Sequence, residues 1–331
     1  MPNPYISGTG FFLPPRVVTN EELSSYMDTT DEWIQERTGI KERRYVEKGV
    51  GPSDLAISAT EQALKAAGLT VSDIDFIIFA TSTPDFYAPG SGCVLQEKMG
   101  FNEIGALDIR VQCSGFIYGL SIAEQYIRTG NFKNILLIGA EVQSTAMNLT
   151  DEGRDTAIIF GDGSGAAIIS ATEENKGILS THMHSEGKYL KELWLEAPAS
   201  NAGHPRITRE VLDEGKQYLK MNGKEVFRHA ITRFPEVINE ALEANNLTSE
   251  NIDLLIPHQA NLRITQMVQK RLSLRNEQVF SNIHKYGNTT AATIPIALAE
   301  AFNEGKIKDG DLLVLAAFGA GFTWASAIMK W

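Results

Sequence analysis

Two segments of the chain repeat the same order of apolar and polar positions. Residues 63–78, ALKAAGLTVSDIDFII, align without gaps with residues 241–256, ALEANNLTSENIDLLI, at a constant offset of 178. Each segment has the apolar spacing of a helix, then a polar turn, then a short apolar run. The pattern predicts two copies of one unit in which a helix leads into a buried strand.

A second pair of apolar runs supports the duplication. Residues 135–139, ILLIG, and residues 312–316, LLVLA, each follow a short turn that contains lysine. Tandem copies of such a unit would bury their strands beneath helices on both faces. The boundary is expected in the polar region between about residues 170 and 220, so we predict halves of residues 1–170 and 171–331.

One long uncharged stretch, Leu312–Met329, has two interpretations. Its 18 residues approach the length of a membrane-spanning helix. Gly319 and Gly321 divide it into two shorter apolar runs, however, which favours a buried hairpin of two strands. We therefore expect no membrane span.

Charge and cysteine content narrow the possible functions. The 331 residues include 30 Lys and Arg against 41 Asp and Glu, a net charge of −11. An acidic chain is a poor general binder of nucleic acid, because phosphate contacts need a cationic surface. With only Cys93 and Cys113 and no CxxC motif, a disulfide framework is excluded. Since the N-terminus also lacks the features of a secretory signal, we expect a reduced, cytoplasmic protein.

Cys113 is the candidate nucleophile. It follows the apolar run IGALDIRVQ and precedes a helical pattern that stops at Gly130. Free N–H groups and the positive dipole end at a helix start favour a thiolate, which suits covalent acyl transfer. The alternative is a small residue buried at a crowded junction. Cys93 lies within an apparent helix and is expected to be a packing residue.

His258 and Asn288 are the candidate partners of this thiol. His258 ends the strand of the second repeat, where a side chain can face a cleft rather than the core. Asn288 lies at a junction like that of Cys113, although it could simply cap the following helix. A thiol, an imidazole and an amide are complementary, because two neutral donors can bind the oxygen of a thioester held near the thiol.

Other motifs are weaker. Gly161–Gly165 lacks the spacing of a phosphate-binding loop and is expected to form a tight turn. Phe318–Phe322, FGAGF, permits close backbone approach and could present an N–H group to an oxyanion. His182 and His184 lack an evident third ligand, so we expect no metal site. Arg263, Lys270 and Arg271 share one side of a predicted helix, either as a solvated face or as a dock for an acidic protein.

Six motifs together resemble the β-ketoacyl-[acyl carrier protein] synthase III family of the thiolase superfamily. In chain order they are residues 28–43 (DTTDEWIQERTGIKER), 113–116 (CSGF), 158–167 (IIFGDGSGAA), 258–263 (HQANLR), 286–292 (YGNTTAA) and 318–325 (FGAGFTWA). The resemblance implies an α/β fold of the layered αβαβα thiolase type made of two duplicated halves, and a homodimer. It implies that an acyl-CoA primer condenses with malonyl-[acyl carrier protein], with loss of carbon dioxide, to start fatty-acid synthesis. No cofactor is implied, because acyl-CoA and the malonyl carrier protein are substrates.

The resemblance also assigns roles to residues. It implies that Cys113 is acylated, that His258 and Asn288 promote decarboxylation, and that the N–H groups of Cys113 and Ala320 form the oxyanion hole. The residues implied in binding are Trp33, Arg37, Arg154 and Asn261 for CoA, Arg228, Gln259, Ala260, Asn261, Leu262, Arg263, Lys270 and Arg271 for the carrier protein, and Ala88 and Phe318 for the acyl pocket.

Three residues depart from the family pattern. Ala320 replaces a usual glycine, Gln112 replaces a usual small residue, and Ala88 lies near a position that is often bulky, at the end of the acyl pocket across the dimer interface. A smaller residue there could lengthen the pocket. The alternative function is therefore a related enzyme of specialised lipid or polyketide synthesis that uses longer or unusual acyl groups.

Overall fold

The computed structural model describes residues 1–331, and its two repeated segments have the same structure. In the first, a helix ends before Gly68, a 3₁₀ turn follows at Val71–Asp73, and a strand begins at Phe76. In the second, the helix ends at Ala244, and the turn and strand follow in the same order. The duplication predicted from the apolar pattern is therefore confirmed.

The chain forms thirteen strands and eleven helices, numbered here in chain order. The strands are β1 (Asn3–Phe12), β2 (Arg16–Thr19), β3 (Glu42–Tyr45), β4 (Phe76–Ala80), β5 (Gly105–Ile109), β6 (Asn134–Val142), β7 (Asp162–Thr172), β8 (Gly177–Ser185), β9 (Leu193–Trp194), β10 (Lys220–Met221), β11 (Leu254–Pro257), β12 (Leu312–Gly319) and β13 (Thr323–Lys330). The helices are α1 (Asn20–Ser24), α2 (Asp31–Thr38), α3 (Pro52–Ala67), α4 (Ser91–Met99), α5 (Gly115–Arg128), α6 (Arg154–Ala157), α7 (Arg209–Asp213), α8 (Gly223–Ala244), α9 (Leu262–Arg271), α10 (Ile283–Tyr286) and α11 (Thr293–Asn303).

Two larger sheets divide the chain between β7 and β8. The first has the order β1-β7-β6-β4-β5 and uses residues 3–172, whereas the second has the order β11-β12-β13-β8 and uses residues 177–330. β4 pairs with β6 in parallel, and β11 pairs with β12 in parallel. The two pairs of apolar runs found in the sequence therefore occupy corresponding places in the two sheets.

The sheets and helices stack in five layers. Helices α5 and α11 lie between the two sheets, in a core to which both sheets contribute. Helices α3 and α4 cover the outer face of the first sheet, and α8 and α9 cover that of the second. This is the layered αβαβα arrangement that the family resemblance implies.

The uncharged stretch near the C-terminus forms the predicted hairpin. β12 and β13 are antiparallel, with Gly319 opposite Thr323 at the turn. None of the helices in the structure combines the length and apolar character needed to cross a bilayer.

The expectation of a tight turn at Gly161–Gly165 was wrong. Only Gly161 precedes the strand, and Gly163 and Gly165 lie within β7. A Cβ atom on Gly165 would be 2.7 Å from the backbone of Pro295 and Ile296 at the start of α11. The glycine is therefore required by the close packing of a central helix on the strand.

Candidate active site

Cys113 lies in a 3₁₀ turn between β5 and the central helix α5. The preceding residue, Gln112, has a φ of 44°, in the left-handed region that side chains rarely adopt. Thr290 and Phe322, close to Asn288 and Ala320 in sequence, have φ values of 51° and 44°. Strained backbone of this kind persists where the surrounding packing holds it, and it is frequent at functional sites.

Two backbone N–H groups lie close enough to the sulfur of Cys113 to lower its pKa. They belong to Cys113 itself and to Ala320, at the turn between β12 and β13. An acyl group on the sulfur would place its carbonyl oxygen near these donors, which is the arrangement of an oxyanion hole.

The resting side chain of Cys113 is a thiol. Only 4% of the residue is exposed, and burial, followed by the nearby Glu141 carboxyl, raises its pKa to about 12. The two N–H groups lower the pKa by less than burial raises it. The expectation that the helix start would favour a thiolate was therefore wrong for the resting site, because desolvation outweighs the backbone donors.

His258 follows β11 and is held by both its backbone and its ring. Its N–H group donates to the carbonyl of Ala316 at 2.8 Å, and its Nδ1 lies 2.6 Å from the Oγ1 of Thr293. The buried Nε2 has no partner within the protein. Burial lowers the pKa of the ring to about 3, so the imidazole is neutral at physiological pH.

The side chain of Asn288 combines capping with a free donor. Its Oδ1 accepts from the N–H of Thr290 at 2.8 Å, at the start of a short 3₁₀ turn that leads into α11. The backbone of Asn288 bonds that of Ile159 and Gly161. Since the side-chain oxygen is used in this bond, Nδ2 is the group available to bind another molecule. Asn288 can therefore cap the turn and also act as a donor in the site.

One cavity of about 600 Å³ connects these side chains. It is lined by Cys113, His258 and Asn288, and by the predicted binding residues Trp33, Arg37, Ala260, Asn261, Arg263 and Phe318. A sulfur from the first half of the chain thus shares a pocket with an imidazole and an amide from the second.

The mouth of this cavity carries an aromatic ring flanked by cations. The guanidinium carbons of Arg37 and Arg154 lie 4.3 Å and 4.8 Å from the ring centre of Trp33. Arg154 also donates to the carbonyl of Asp28 at 2.8 Å, and Asn261 donates to that of Arg37 at 2.9 Å. Together they form a cationic and aromatic rim, which suits a flat ring that carries phosphates.

Four exposed basic residues form what we call the basic surface: Arg228 on α8 and Arg263, Lys270 and Arg271 on α9. Arg271 donates to the carbonyl of Ile231, which ties the two helices together, and Arg228 pairs with Glu225. Leu262 is the first residue of α9 and only partly buried.

Gln259 does not belong to this surface. It is 1% exposed, and its Oε1 accepts from Ser281 and from the backbone of Asn282. Its amide donates to the carbonyl of Pro257 at 2.6 Å. The side chain therefore supports the loop after His258 from inside and is not available to a carrier protein.

The structure places two further sequence candidates outside the cavity of their own chain. Ala88 is exposed and does not line the pocket. Cys93 is exposed on α4, so the expectation that it packs in the core was wrong.

Two polar residues near the site were not identified from the sequence. Thr293 contacts the ring of His258, and Glu141 is a fully buried carboxyl at the end of β6. An acidic residue at the end of an apolar strand was a detectable signal for Glu141. The sequence contains no comparable signal for Thr293, which resembles any other threonine at a helix start.

Comparisons with known proteins show which family this chain resembles. Two family profiles match the chain, 3-oxoacyl-[acyl-carrier-protein] synthase III at residues 107–187 and the C-terminal part of the same synthase at residues 242–331. A β-ketoacyl-[acyl-carrier-protein] synthase III from Caldanaerobacter subterraneus is 46% identical, over 98% of this chain and 97% of the relative. The enzyme of that name from Clostridioides difficile is also 46% identical, over 98% of both chains.

Solved structures show the same likeness. The crystal structure of 3-oxoacyl-[acyl-carrier-protein] synthase III from Aquifex aeolicus aligns with 99% of this chain and 100% of its own, with a TM-score of 0.90 and 41% identity. The corresponding structure from Thermus thermophilus aligns with 99% of each chain, with a TM-score of 0.90 and 39% identity.

Proposed function

The chain belongs to the β-ketoacyl-[acyl-carrier-protein] synthase III family, and we propose that it condenses an acyl-CoA primer with malonyl-[acyl carrier protein]. The product would be 3-oxoacyl-[acyl carrier protein], formed through an acyl-Cys113 intermediate at the start of fatty-acid synthesis. One observation supports this most: a buried thiol under two N–H groups shares a cavity with an unpartnered imidazole nitrogen and a free amide.

The first step transfers the acyl group to Cys113. The sulfur bonds to the thioester carbonyl carbon, the carbon–sulfur bond to CoA breaks, and the proton of the thiol leaves with the CoA sulfur. Negative charge that develops on the carbonyl oxygen is stabilised by the N–H groups of Cys113 and Ala320. These donors are held by the fold, so they need little reorganisation when the charge appears.

The second step removes carbon dioxide and forms the carbon–carbon bond. The thioester oxygen of the malonyl group accepts from His258 and Asn288 while the carboxylate leaves and an enolate forms. Its carbon attacks the acyl-Cys113 carbonyl, and the thiolate departs and recovers a proton. The low pKa of His258 supports this role, because a neutral ring serves as a donor without titrating near pH 7.

The rim of the cavity suits the nucleotide end of CoA. The guanidinium groups of Arg37 and Arg154 lie over the ring of Trp33 and concentrate positive charge there. Asn261 also lines the cavity and is hydrogen-bonded to the backbone of Arg37. We assign these four residues to CoA, with the pantetheine arm running inward to Cys113.

The basic surface suits an acidic carrier protein. It concentrates four cations beside the cavity mouth of a chain whose net charge is −11. Arg263 both lines the cavity and belongs to the surface. The phosphopantetheine of a bound carrier protein must enter the same cavity as CoA. The carrier protein therefore has to bind beside the mouth of the cavity.

A homodimer is part of the proposal. β5 is one of the two edge strands of the first sheet, and Ile109 in β5 and Tyr118 and Ile122 in α5 are only partly buried. Pairing of two β5 strands across a twofold axis would cover this edge and make one continuous sheet. The segment with Ala88, whose neighbours Phe86 and Tyr87 are 58% and 65% exposed, could then reach the partner's acyl pocket.

Mass spectrometry of the intact protein tests the covalent step. After incubation with acyl-CoA, we expect a single acyl adduct that is lost in Cys113→Ala and retained in Cys93→Ala, since Cys93 is outside the cavity. A panel of acetyl, branched and long-chain primers with malonyl-[acyl carrier protein] would then define the primer. An adduct that persists in Cys113→Ala, or no condensation with any primer, would reject the proposal.

The assembly and location need separate measurements. Light scattering should give the mass of two chains, and Ile109→Lys at the end of β5 should shift it toward the mass of one chain. A cytoplasmic location is proposed because both substrates are cytoplasmic metabolites or carriers and both cysteines are free thiols. A monomeric wild-type protein with full activity would contradict the dimer and leave the reaction assignment intact.

A further inference from the structure

The hydroxyl of Thr293 lies between Nδ1 of His258 and the carbonyl oxygen of Thr290. Its Oγ1 is 2.6 Å from Nδ1 of His258 and 3.1 Å from the carbonyl oxygen of Thr290, and it has one proton to give. The ring of His258 is neutral and carries a single N–H. The direction of the Thr293 proton therefore decides which ring nitrogen holds the other proton.

Two observations favour donation to the ring. A separation of 2.6 Å is short for an N–H donor, whose bonds fall at about 2.7–3.2 Å, but it lies within the range of hydroxyl donors at about 2.5–3.0 Å. The carbonyl of Thr290 already accepts the backbone N–H of Thr293, so it does not need the hydroxyl. Nδ1 has no partner other than Thr293.

We propose that Thr293 is a positioning residue that donates its hydroxyl proton to Nδ1 of His258 and so keeps the ring proton on Nε2. Nε2 is the buried, unpartnered nitrogen, and His258 is one of the residues that line the cavity. The ring then faces the substrate as a hydrogen-bond donor. The catalytic consequence of this inference rests on the proposed function, whereas the tautomer itself does not.

This arrangement separates the two half-reactions. A ring with its proton on Nε2 can donate to the malonyl thioester, but it has no lone pair on Nε2 to accept the proton of Cys113. Loss of the Thr293 hydroxyl should therefore impair decarboxylation and leave acylation largely intact. Loss of one transition-state donor costs about 10²–10³ in rate, and loss of the group that fixes a catalytic histidine's tautomer costs up to about 10⁴.

The test uses Thr293→Val, Thr293→Ser and a matched control. Thr60→Val makes the same change at a buried threonine on α3 whose hydroxyl has no partner and which does not line the cavity. We expect Thr293→Val to lower malonyl decarboxylation at least 100-fold with near-normal acylation of Cys113. Thr293→Ser should restore most of the rate, and Thr60→Val should change neither step.

Nitrogen-15 NMR of histidine-labelled full-length protein reads the tautomer directly, without turnover. The His258 signal is identified by its loss in His258→Ala, and it should show the proton on Nε2 in the wild type and in Thr293→Ser. A wild-type ring with its proton on Nδ1, or a Thr293→Val variant that decarboxylates at the wild-type rate, would overturn the inference. Failure of the proposed function would instead appear as a wild-type protein that neither acylates nor decarboxylates, whatever the tautomer.

Discussion

Gly319 lies so close to Cys113 that a Cβ atom at position 319 would be 2.5 Å from the Cβ of Cys113 and 2.9 Å from its Sγ. The backbone of Gly319 is extended, with a φ of −162°, so the requirement is for space and not for an unusual conformation. This contact brings the end of β12 against the nucleophile. It also places the next N–H group, that of Ala320, at the sulfur.

We expect Gly319→Ala to abolish most acyl transfer while the fold persists. The added methyl group must push the turn or Cys113 aside, and a displacement of about 1 Å in a reacting group can cost about 100-fold in rate. Overpacking should lower the free energy of unfolding by about 1–3 kcal/mol. Single-turnover acylation and denaturant unfolding would measure the two effects.

Gly187→Ala is the matched control, because a Cβ atom at position 187 would meet nothing within 4 Å. It should acylate at the wild-type rate. If Gly319→Ala also acylates at the wild-type rate, the close contact with Cys113 has no role in the chemistry.

The pKa of Cys113 predicts the pH dependence of its alkylation. With a pKa raised to about 12, the thiolate fraction grows tenfold for each pH unit throughout the range from about pH 6 to 9. The rate of alkylation by iodoacetamide in a Cys93→Ser background should therefore rise about tenfold per unit without a plateau. A plateau near the ordinary thiol pKa of about 8.5 would show that the sulfur is not desolvated as described.

Much of the fold could be predicted from local pattern. The repeated helix–turn–strand segments and the hairpin Leu312–Met329 have apolar periodicity that needs only neighbours in sequence to be interpreted. The gathering of Cys113, His258 and Asn288 in one cavity followed from the duplication, because equivalent strand ends from two halves meet around a pseudo-twofold axis.

The rest depended on distant parts of the chain. The protonation of Cys113 is set by burial and by Glu141, and the inward position of Gln259 by bonds to Ser281 and Asn282. Gly165 appeared to belong to a turn, because the helix that packs on it begins about 130 residues later. Such relationships are fixed by tertiary contacts that no local pattern encodes.

The basic surface predicts a charge-dependent second step. Lys270 is exposed and makes no ion pair in the structure. Reversing its charge in Lys270→Glu should raise the KM for malonyl-[acyl carrier protein] by about 3- to 10-fold. The increase in KM should be smaller at high salt, because salt screens exposed charges. Acylation by acyl-CoA should not change, because Lys270 does not line the cavity. Lys65→Glu, on the exposed face of α3, is the control. If both variants raise the KM equally, the effect comes from the net charge of the protein and not from the basic surface.

Glu141 connects the end of β6 to the loop after β4. Its fully buried carboxyl accepts from the backbone N–H of Ser82 at 3.1 Å, from the hydroxyl of Thr83 at 2.7 Å and from the amide of Gln143 at 3.3 Å. Burial raises the pKa of Glu141 from 4.5 to about 7 in spite of these bonds. The folded state therefore holds a proton that the unfolded chain has released between these two pH values.

This difference predicts how stability changes with pH. The folded state binds the extra proton, so the contribution of Glu141 is full below about pH 4.5 and is lost as the pH rises through about 7. At about 1.4 kcal/mol per pKa unit, the loss amounts to roughly 3 kcal/mol. Glu141→Gln cannot titrate, so the stability of the wild type relative to this variant, measured by urea unfolding, should fall by about 2.5 kcal/mol between pH 5 and pH 8. Other groups titrate in both proteins and cancel in the difference.

Glu61→Gln, at an exposed position on α3, is the control and should show a stability difference from the wild type that does not change with pH. If the Glu141→Gln difference is also constant with pH, the carboxyl is ionised in the folded protein throughout this range.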